Sequence, residues 1–154
     1  MALSGVVEGG NYLLNIGPDG KGRVPESCVK HFHELGEWVE RNADAIFGTS
    51  RWNTFNENVN PKKGAHSVAG EFWFSAKGDK VYVMSLTPAT KVVKVESLKR
   101  SDGKALKVRL LGGDQTLSWQ QTESALEINF DGVETGVNGF AVEVTLQPKT
   151  QAEP

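Results

Sequence analysis

The chain has 154 residues, of which 38% are hydrophobic and 23% charged, and this is the composition of an ordinary globular protein. A formal net charge of -2 without a long run of either sign argues against nucleic acid and acidic membrane surfaces as partners. No stretch approaches a membrane span in length. The single cysteine, Cys28, cannot form an internal disulfide, and no glycosylation sequon occurs, so the cellular compartment stays open.

The first structural signal is a continuous apolar run at residues 12–16, YLLNI. Turn-forming residues bound it on both sides, which is typical of a strand buried on both faces, as in a parallel sheet. Residues 1–7 show no signal-peptide pattern, and the strand follows within a dozen residues, as it would after a truncated start. We therefore expect a barrel-type strand at residues 12–16.

A helix is the clearest periodic signal and follows Pro25, a favoured residue for a first helical turn. Its apolar positions step by three and four residues, which predicts one apolar face. Gly36 lies in the middle of this face, and we expect it to allow a close approach to a sheet. The residues of the face are Val29, Phe32, Gly36, Val39, Ala43 and Ile46, widened by Leu35 and Trp38.

The rest of the chain reads as a linker followed by short alternating strands. Residues 51–70 are rich in Asn, Lys, Gly and Ser and carry no period, which predicts a linker. Strands are expected at 71–76, 80–86, 92–98, 105–111, 116–121, 125–130 and 140–146. The expected fold is therefore mostly β: a seven- to eight-stranded antiparallel sandwich at 71–148, preceded by a strand-helix unit at 1–50 and followed by a tail at 149–154.

These motifs resemble glycoside hydrolase family 29, the α-L-fucosidases. The resemblance begins with GGNYLLNIGPDG at residues 9–20 and RVPE at 23–26, which are similar to the last strand of that family's (β/α)8 barrel. It continues over most of the chain, through LGEWV at 35–39, AIFGT at 45–49, DKVYV at 79–83, LLG at 110–112 and LSW at 117–119. One departure is Asn42-Ala43, where the family commonly has Asn-Gly. Because a left-handed turn would strain Ala43, we expect Asn42 to adopt it.

The resemblance also implies what this chain lacks. In the family, the nucleophilic aspartate and the acid/base glutamate come from earlier barrel strands, which are not in this sequence. We therefore expect no catalytic residue in this chain, no cofactor, and no activity without the missing part of the barrel. Fucosylated glycans are expected as partners only of the complete enzyme, which in this family is often secreted, periplasmic or lysosomal.

Few residues remain as site candidates. Asn15 and Asp19 lie at the carboxyl end of the expected strand, the side on which barrel enzymes bind substrate, although we favour a simple turn at Asp19. His31 and His33 are two residues apart on a helix and point to different faces, so a metal site is not expected.

Two tryptophans are the remaining candidates. Phe72 and Phe74 flank Trp73 in an alternating strand, so Trp73 is expected to point away from the core that they face. Trp73, and Trp52 in the linker, could stack on a sugar or cover the junction with the barrel, and we favour the junction.

Without its barrel neighbours, the strand at 12–16 would be an open apolar edge. The expected partner is then the missing barrel portion or a second copy of the chain. A stand-alone sugar-binding sandwich and a purely structural domain remain as alternative functions.

Overall fold

The computed structural model describes residues 2–59, 69–113 and 115–148. The described helices are α1 (Ala2–Val7), α2 (Glu26–Arg41) and α3 (Ala43–Ile46). The strands are β1 (Ser50–Glu57), β2 (Phe72–Lys77), β3 (Lys80–Ser85), β4 (Val92–Val95), β5 (Ala105–Leu110), β6 (Ser118–Gln121), β7 (Leu126–Asn129) and β8 (Phe140–Leu146). Two short 3-10 turns, Glu96–Leu98 and Arg100–Asp102, connect β4 to β5. No helix in the described ranges is long and apolar enough to cross a bilayer.

The eight strands form two antiparallel sheets. The larger sheet has five strands in the order β1-β2-β3-β8-β5, and the smaller has three in the order β4-β7-β6. The prediction of a mostly β, seven- to eight-stranded antiparallel sandwich is confirmed.

The main core lies between the sheets and is built by alternation along each strand. In β2, Phe72 and Phe74 point into this core, where they meet Val81 and Val83 of β3. The ring of Phe130 packs against that of Phe140, with centroids 5.0 Å apart. Inward side chains from both sheets exclude water together, and this burial is the main favourable term in folding such a domain.

Two buried polar side chains anchor the loops at the edge of this core. The Glu57 carboxylate of β1 accepts hydrogen bonds from the backbone N–H groups of Glu96 (2.9 Å) and Ser97 (2.7 Å). The Gln121 amide accepts one from the Ala105 N–H and donates to the carbonyls of Leu98 and Gly103. Because every buried backbone group needs a partner, these contacts fix the β4–β5 connection.

The outer face of the five-stranded sheet carries a second apolar cluster, covered by residues 2–47, hereafter the helical segment. Ser75 Oγ donates a 2.6 Å hydrogen bond to the carbonyl of Ala45, tying α3 to β2. The cluster is formed by Leu3, Val7, Trp38, Ala45, Trp73, Tyr82, Met84, Leu111 and Ala141. Residues that point outward from the sheet are thus buried by the helical segment.

The structure differs from the sequence predictions in two places, the predicted strand at 12–16 and the predicted linker at 51–70. Residues 12–16 form neither helix nor strand here, because no neighbouring strand is available to pair with them in the described chain. Residues 50–57, mostly assigned to the linker at 51–70, instead form β1 at the sheet edge. The rest of that linker at 60–68, and the tail at 149–154, fall outside the described residues.

Two backbone expectations were also wrong. Asn42 has φ -109° and ψ 22°, not a left-handed conformation, because its side-chain Nδ2 and its backbone N–H both bond the carbonyl of Trp38. These bonds end α2 and let α3 start at once. Gly36 is exposed, and a Cβ built there would meet nothing within 4 Å, so no close sheet approach requires it in this structure.

Candidate functional site in the helical segment

A groove of about 800 Å³ is lined mainly by the helical segment, with Thr49, Leu86 and Asn138 beyond it. One wall is the face of α2, including Leu35, Trp38 and Val39. The other is the loop after α1, with Tyr12 and Leu14, and Phe47 beyond α3 completes it. The amphipathic pattern of α2 explains this wall: Trp38 is the one buried residue of α2, and Leu35 and Val39 are partly buried.

Trp38 carries an unsatisfied polar group in this groove wall. Its side chain is buried against the outer cluster, and within the described residues its indole Nε1–H has no hydrogen-bond partner. A buried donor without an acceptor costs about 1–3 kcal/mol.

Asp19 forms a closed turn. Its carboxylate accepts hydrogen bonds from the backbone N–H groups of Lys21 (2.8 Å) and Arg23 (2.9 Å), and from Arg23 Nε (3.0 Å). The backbone bonds from Arg23 and Lys21 hold the pKa of the Asp19 carboxyl below its ordinary value of 3.8. These bonds make Asp19 a turn former, and its acceptor capacity is largely used locally.

The remaining polar candidates lie apart from one another. Asn15 is exposed and is not among the groove-lining residues. His31 lines the groove together with Glu34, whereas His33 lies outside its lining. Within the described ranges no cluster of three or more His, Cys, Asp or Glu could hold a metal ion.

The two tryptophan candidates occupy different layers. Trp73 is 3% exposed and lies in the outer cluster, at the junction between the helical segment and the sheet. No face of its ring is open to a sugar in this arrangement. Trp52 of β1 is partly buried against the main core.

A buried ion-pair cluster joins the helical segment to the sandwich and was not expected from the sequence. Glu143 of β8 accepts hydrogen bonds from Lys80 Nζ (3.0 Å) and Arg109 NH2 (3.1 Å). Arg109 also reaches Asp44 of α3 at 3.5 Å. Burial opposes ionisation of Glu143, but the bonds from Arg109 and Lys80 outweigh it and hold the pKa of that carboxyl below its ordinary value of 4.5.

Tyr82 completes this cluster. Burial raises the pKa of its hydroxyl to about 12, and the neighbouring Glu143 carboxylate adds to the shift. The one available sequence signal was a lone charge, Glu143, inside the otherwise apolar strand β8. A charge in such a position needs a partner, but the pairing of β8 between β3 and β5 decides which one.

The carboxylic acids of the groove can be compared with what glycoside hydrolysis requires. Retaining glycoside hydrolysis needs two carboxyl groups about 5 Å apart, one on each side of the scissile bond. Among the described groove-lining residues, Glu34 is the one carboxylic acid. Its lining combines apolar side chains with hydrogen-bonding ones, among them Asn11, His31, Thr49 and Asn138.

Comparison with known proteins identifies the family on both parts of the chain. The family profile described as "Alpha-L-fucosidase C-terminal domain" matches residues 65–147, and the profile described as "Alpha-L-fucosidase" matches residues 2–44. Mouse tissue α-L-fucosidase is 32% identical over 114 residues, which are 73% of this chain and 23% of that protein. The α-L-fucosidase of Dictyostelium discoideum is 34% identical over 80 residues, which are 50% of this chain and 17% of that protein.

Solved structures agree with these matches. The α-fucosidase of Thermotoga maritima, solved with fucose, superposes with a TM-score of 0.71 at 31% identity. The superposition covers 93% of this chain and 32% of the Thermotoga chain. The chain thus spans about a quarter or less of these two curated relatives and about a third of this solved enzyme. With over half of its residues matched by the C-terminal domain profile, this chain belongs to the α-L-fucosidase family.

Proposed function

We propose that this chain is the C-terminal part of a retaining α-L-fucosidase, which removes terminal α-L-fucose from glycoconjugates. The observation that carries the proposal is the match of two consecutive family profiles, residues 2–44 and 65–147, in one chain. The 31% identity to a Thermotoga maritima enzyme solved with a mechanism-based inhibitor supports the same activity.

The role of this chain in that enzyme is structural. A (β/α)8 barrel builds its active site from residues at the carboxyl ends of several strands, and this chain supplies a single strand-forming segment, residues 12–16. The nucleophile and the acid/base residue then lie on another part of the enzyme. The sandwich anchors the helical segment through the outer cluster and the Arg109–Asp44 ion pair.

Of the alternative functions, the geometry favours the structural one over a free-standing sugar-binding domain. Trp73, the stronger stacking candidate, is buried beneath the helical segment. Trp52, the other stacking candidate, is partly buried against the main core.

The first prediction is that the purified chain does not hydrolyse an aryl α-L-fucoside above background. The reason is that it cannot place two carboxyl groups across a glycosidic bond. Release of the aryl group is the measurement, with the Thermotoga maritima enzyme as the positive control. A turnover rate within about a thousandfold of typical glycosidases would contradict the proposal.

A chimaera tests the fucosidase assignment itself. This chain replaces the matching last third of the Thermotoga maritima enzyme. We expect a chimaera that is folded by circular dichroism to hydrolyse the same aryl fucoside, because the Thermotoga part keeps the catalytic carboxylates. A folded chimaera that binds fucose but remains inactive would argue against the assignment.

A further inference from the structure

Two glycines on different loops of the sandwich leave room for one arginine of the helical segment. Gly112 lies in the connection between β5 and β6, and Gly136 lies in the connection between β7 and β8. A Cβ added at Gly112 would overlap Arg41 Cγ and lie 2.6 Å from Arg41 Cδ. A Cβ added at Gly136 would lie 2.9 Å from Arg41 NH1. Gly112 and Gly136 thus form a seat for this side chain, hereafter the Arg41 seat.

Packing, and not charge, holds the arginine in this seat. Within the described ranges, the Arg41 guanidinium forms no hydrogen bond and no ion pair. The residue is exposed on its outer side, and its methylene groups lie against the backbone of Gly112. Long cationic side chains commonly pack their methylene groups on the protein while the charged end stays in water.

The sandwich fixes the backbone on both sides of the seat. The Leu111 N–H donates a 2.9 Å hydrogen bond to the carbonyl of Ala141 in β8. The Gly139 N–H donates to the carbonyl of Gly136 (3.0 Å), which closes the turn that carries Gly136. A Cβ at Gly139 would overlap the Ser85 carbonyl at the end of β3, so this turn is wedged against the sheet. The sandwich therefore sets where the Arg41 seat lies.

Arg41 is the last residue of α2, at a place where that helix has few anchors. Trp38 is the one buried residue of α2. Because Trp38 and Arg41 are three residues apart, they lie on the same face of the helix. Two points held one turn apart fix both the position and the direction of the end of a helix.

We infer that Arg41 is a positioning residue, which sets the end of α2 on the sandwich by filling the Arg41 seat. Its consequence for catalysis rests on the proposed function. The family profile that precedes the C-terminal domain profile matches residues 2–44, so α2 would belong to the barrel part of the complete enzyme. Arg41 would then couple the placement of that helix to two loops of the sandwich.

A double-mutant cycle between Arg41 and Gly112 is the direct test and gives the second prediction. Gly112→Ala should lower the urea midpoint of the whole chain, because the added Cβ displaces Arg41 and because a φ of +82° strains alanine. In an Arg41→Ala background the strain remains but the displacement does not. The rise in the unfolding equilibrium constant caused by Gly112→Ala should therefore be roughly fivefold smaller in that background.

Equal effects of Gly112→Ala in the two backgrounds would overturn the inference. The matched control is Gly113→Ala, since a Cβ at that exposed neighbour meets nothing within 4 Å, and it should act alike in both backgrounds. Arg41→Lys should retain the coupling to Gly112, because lysine keeps the methylene groups that lie there. The cycle measures unfolding and not hydrolysis, so its failure would leave the fucosidase assignment untouched.

A distance measurement separates positioning from a general loss of stability. In a Cys28→Ser background, spin labels at His33→Cys in α2 and Leu106→Cys in β5 report the placement of the helix, since both positions are exposed. Arg41→Ala should shift or broaden the distance distribution of this pair. A second pair within the sandwich, Leu106→Cys with Val92→Cys in β4, should stay unchanged. An unaltered distribution between positions 33 and 106 would show that Arg41 does not position α2.

Discussion

The sandwich and the helical segment bury their apolar side chains to different extents, although one continuous chain builds both. In the sandwich, the inward residues of both sheets are almost fully buried, and Phe74, Val83, Val108 and Val142 are at 0% exposure. Of ten large hydrophobic side chains that are exposed in the described residues, seven belong to the helical segment: Tyr12, Leu13, Leu14, Ile16, Val24, Val29 and Phe47. The sandwich buries its inward apolar side chains, whereas the helical segment leaves many of its own exposed.

This contrast follows from how each region satisfies its backbone. Every strand of the sandwich has at least one antiparallel partner within the chain, so sheet pairing and core formation support each other. Residues 12–16 have no such partner strand in the described chain, and Tyr12 and Leu14 line the groove. A region of this kind is expected to be the less stable part of the molecule.

The largest expected effect is a difference in stability loss between two phenylalanine substitutions, one in the sandwich and one in the helical segment. Phe74→Ala should lower the free energy of unfolding by about 3–5 kcal/mol, because the side chain is fully buried in the main core and would leave a cavity. Phe47→Ala, at 62% exposure, should change it by less than about 0.5 kcal/mol. Urea unfolding in dilute protein is the measurement, and similar losses for both variants would show that the helical segment is as well packed as the sandwich.

The ion pairs of Glu143 with Lys80 and Arg109, on the face of the five-stranded sheet next to α3, give an intermediate effect that depends on pH. Glu143→Gln should cost about 2 kcal/mol at pH 7, because Lys80 and Arg109 lose a charged acceptor. The folded pKa of Glu143 is lowered, so its contribution is present above the ordinary value of 4.5 and is lost as the pH falls through the folded pKa. The difference between the stabilities of the two proteins should therefore shrink progressively as the pH falls below 4.5.

Glu127→Gln is the matched control for this effect. Glu127 lies in β7, opposite Lys94 of β4 and Gln120 of β6 and away from the junction, so its replacement should cost less than about 0.5 kcal/mol. A cost for Glu143→Gln that is the same at pH 3 and pH 7 would mean that the ionised carboxylate does not stabilise the junction.

The smallest expected effect on stability comes from a substitution within the helical segment. Gly36→Ala should raise the stability of this chain by about 0.5–1 kcal/mol, since the added Cβ meets nothing and alanine favours the helix. Thermal unfolding should show a correspondingly higher midpoint. A loss of stability would mean that the chain packs another surface against Gly36 in solution.

The alternating strands could be predicted from the sequence because their pattern reflects local geometry. Seven of the eight described strands overlap a predicted strand, and the outward direction of Trp73 follows from the period of two in β2. The edge strand β1 was missed because its residues, SRWNTFNE, are largely polar and exposed and show no clear alternation. An edge strand that is only partly buried need not alternate hydrophobic and polar residues, so the sequence pattern does not reveal it.

The sequence by itself determined the sandwich, the α2 helix and the family motifs at residues 9–26, since these depend on periodicity and on the order of residue types along the chain. Tertiary structure decided what the outward residues meet: Trp73 is covered by the helical segment, and Glu143 finds Lys80 and Arg109 from neighbouring strands. It also decided the state of residues 12–16, whose apolar pattern is that of a buried strand. A strand needs partners for its backbone, and partners are a property of the assembled fold, not of the segment.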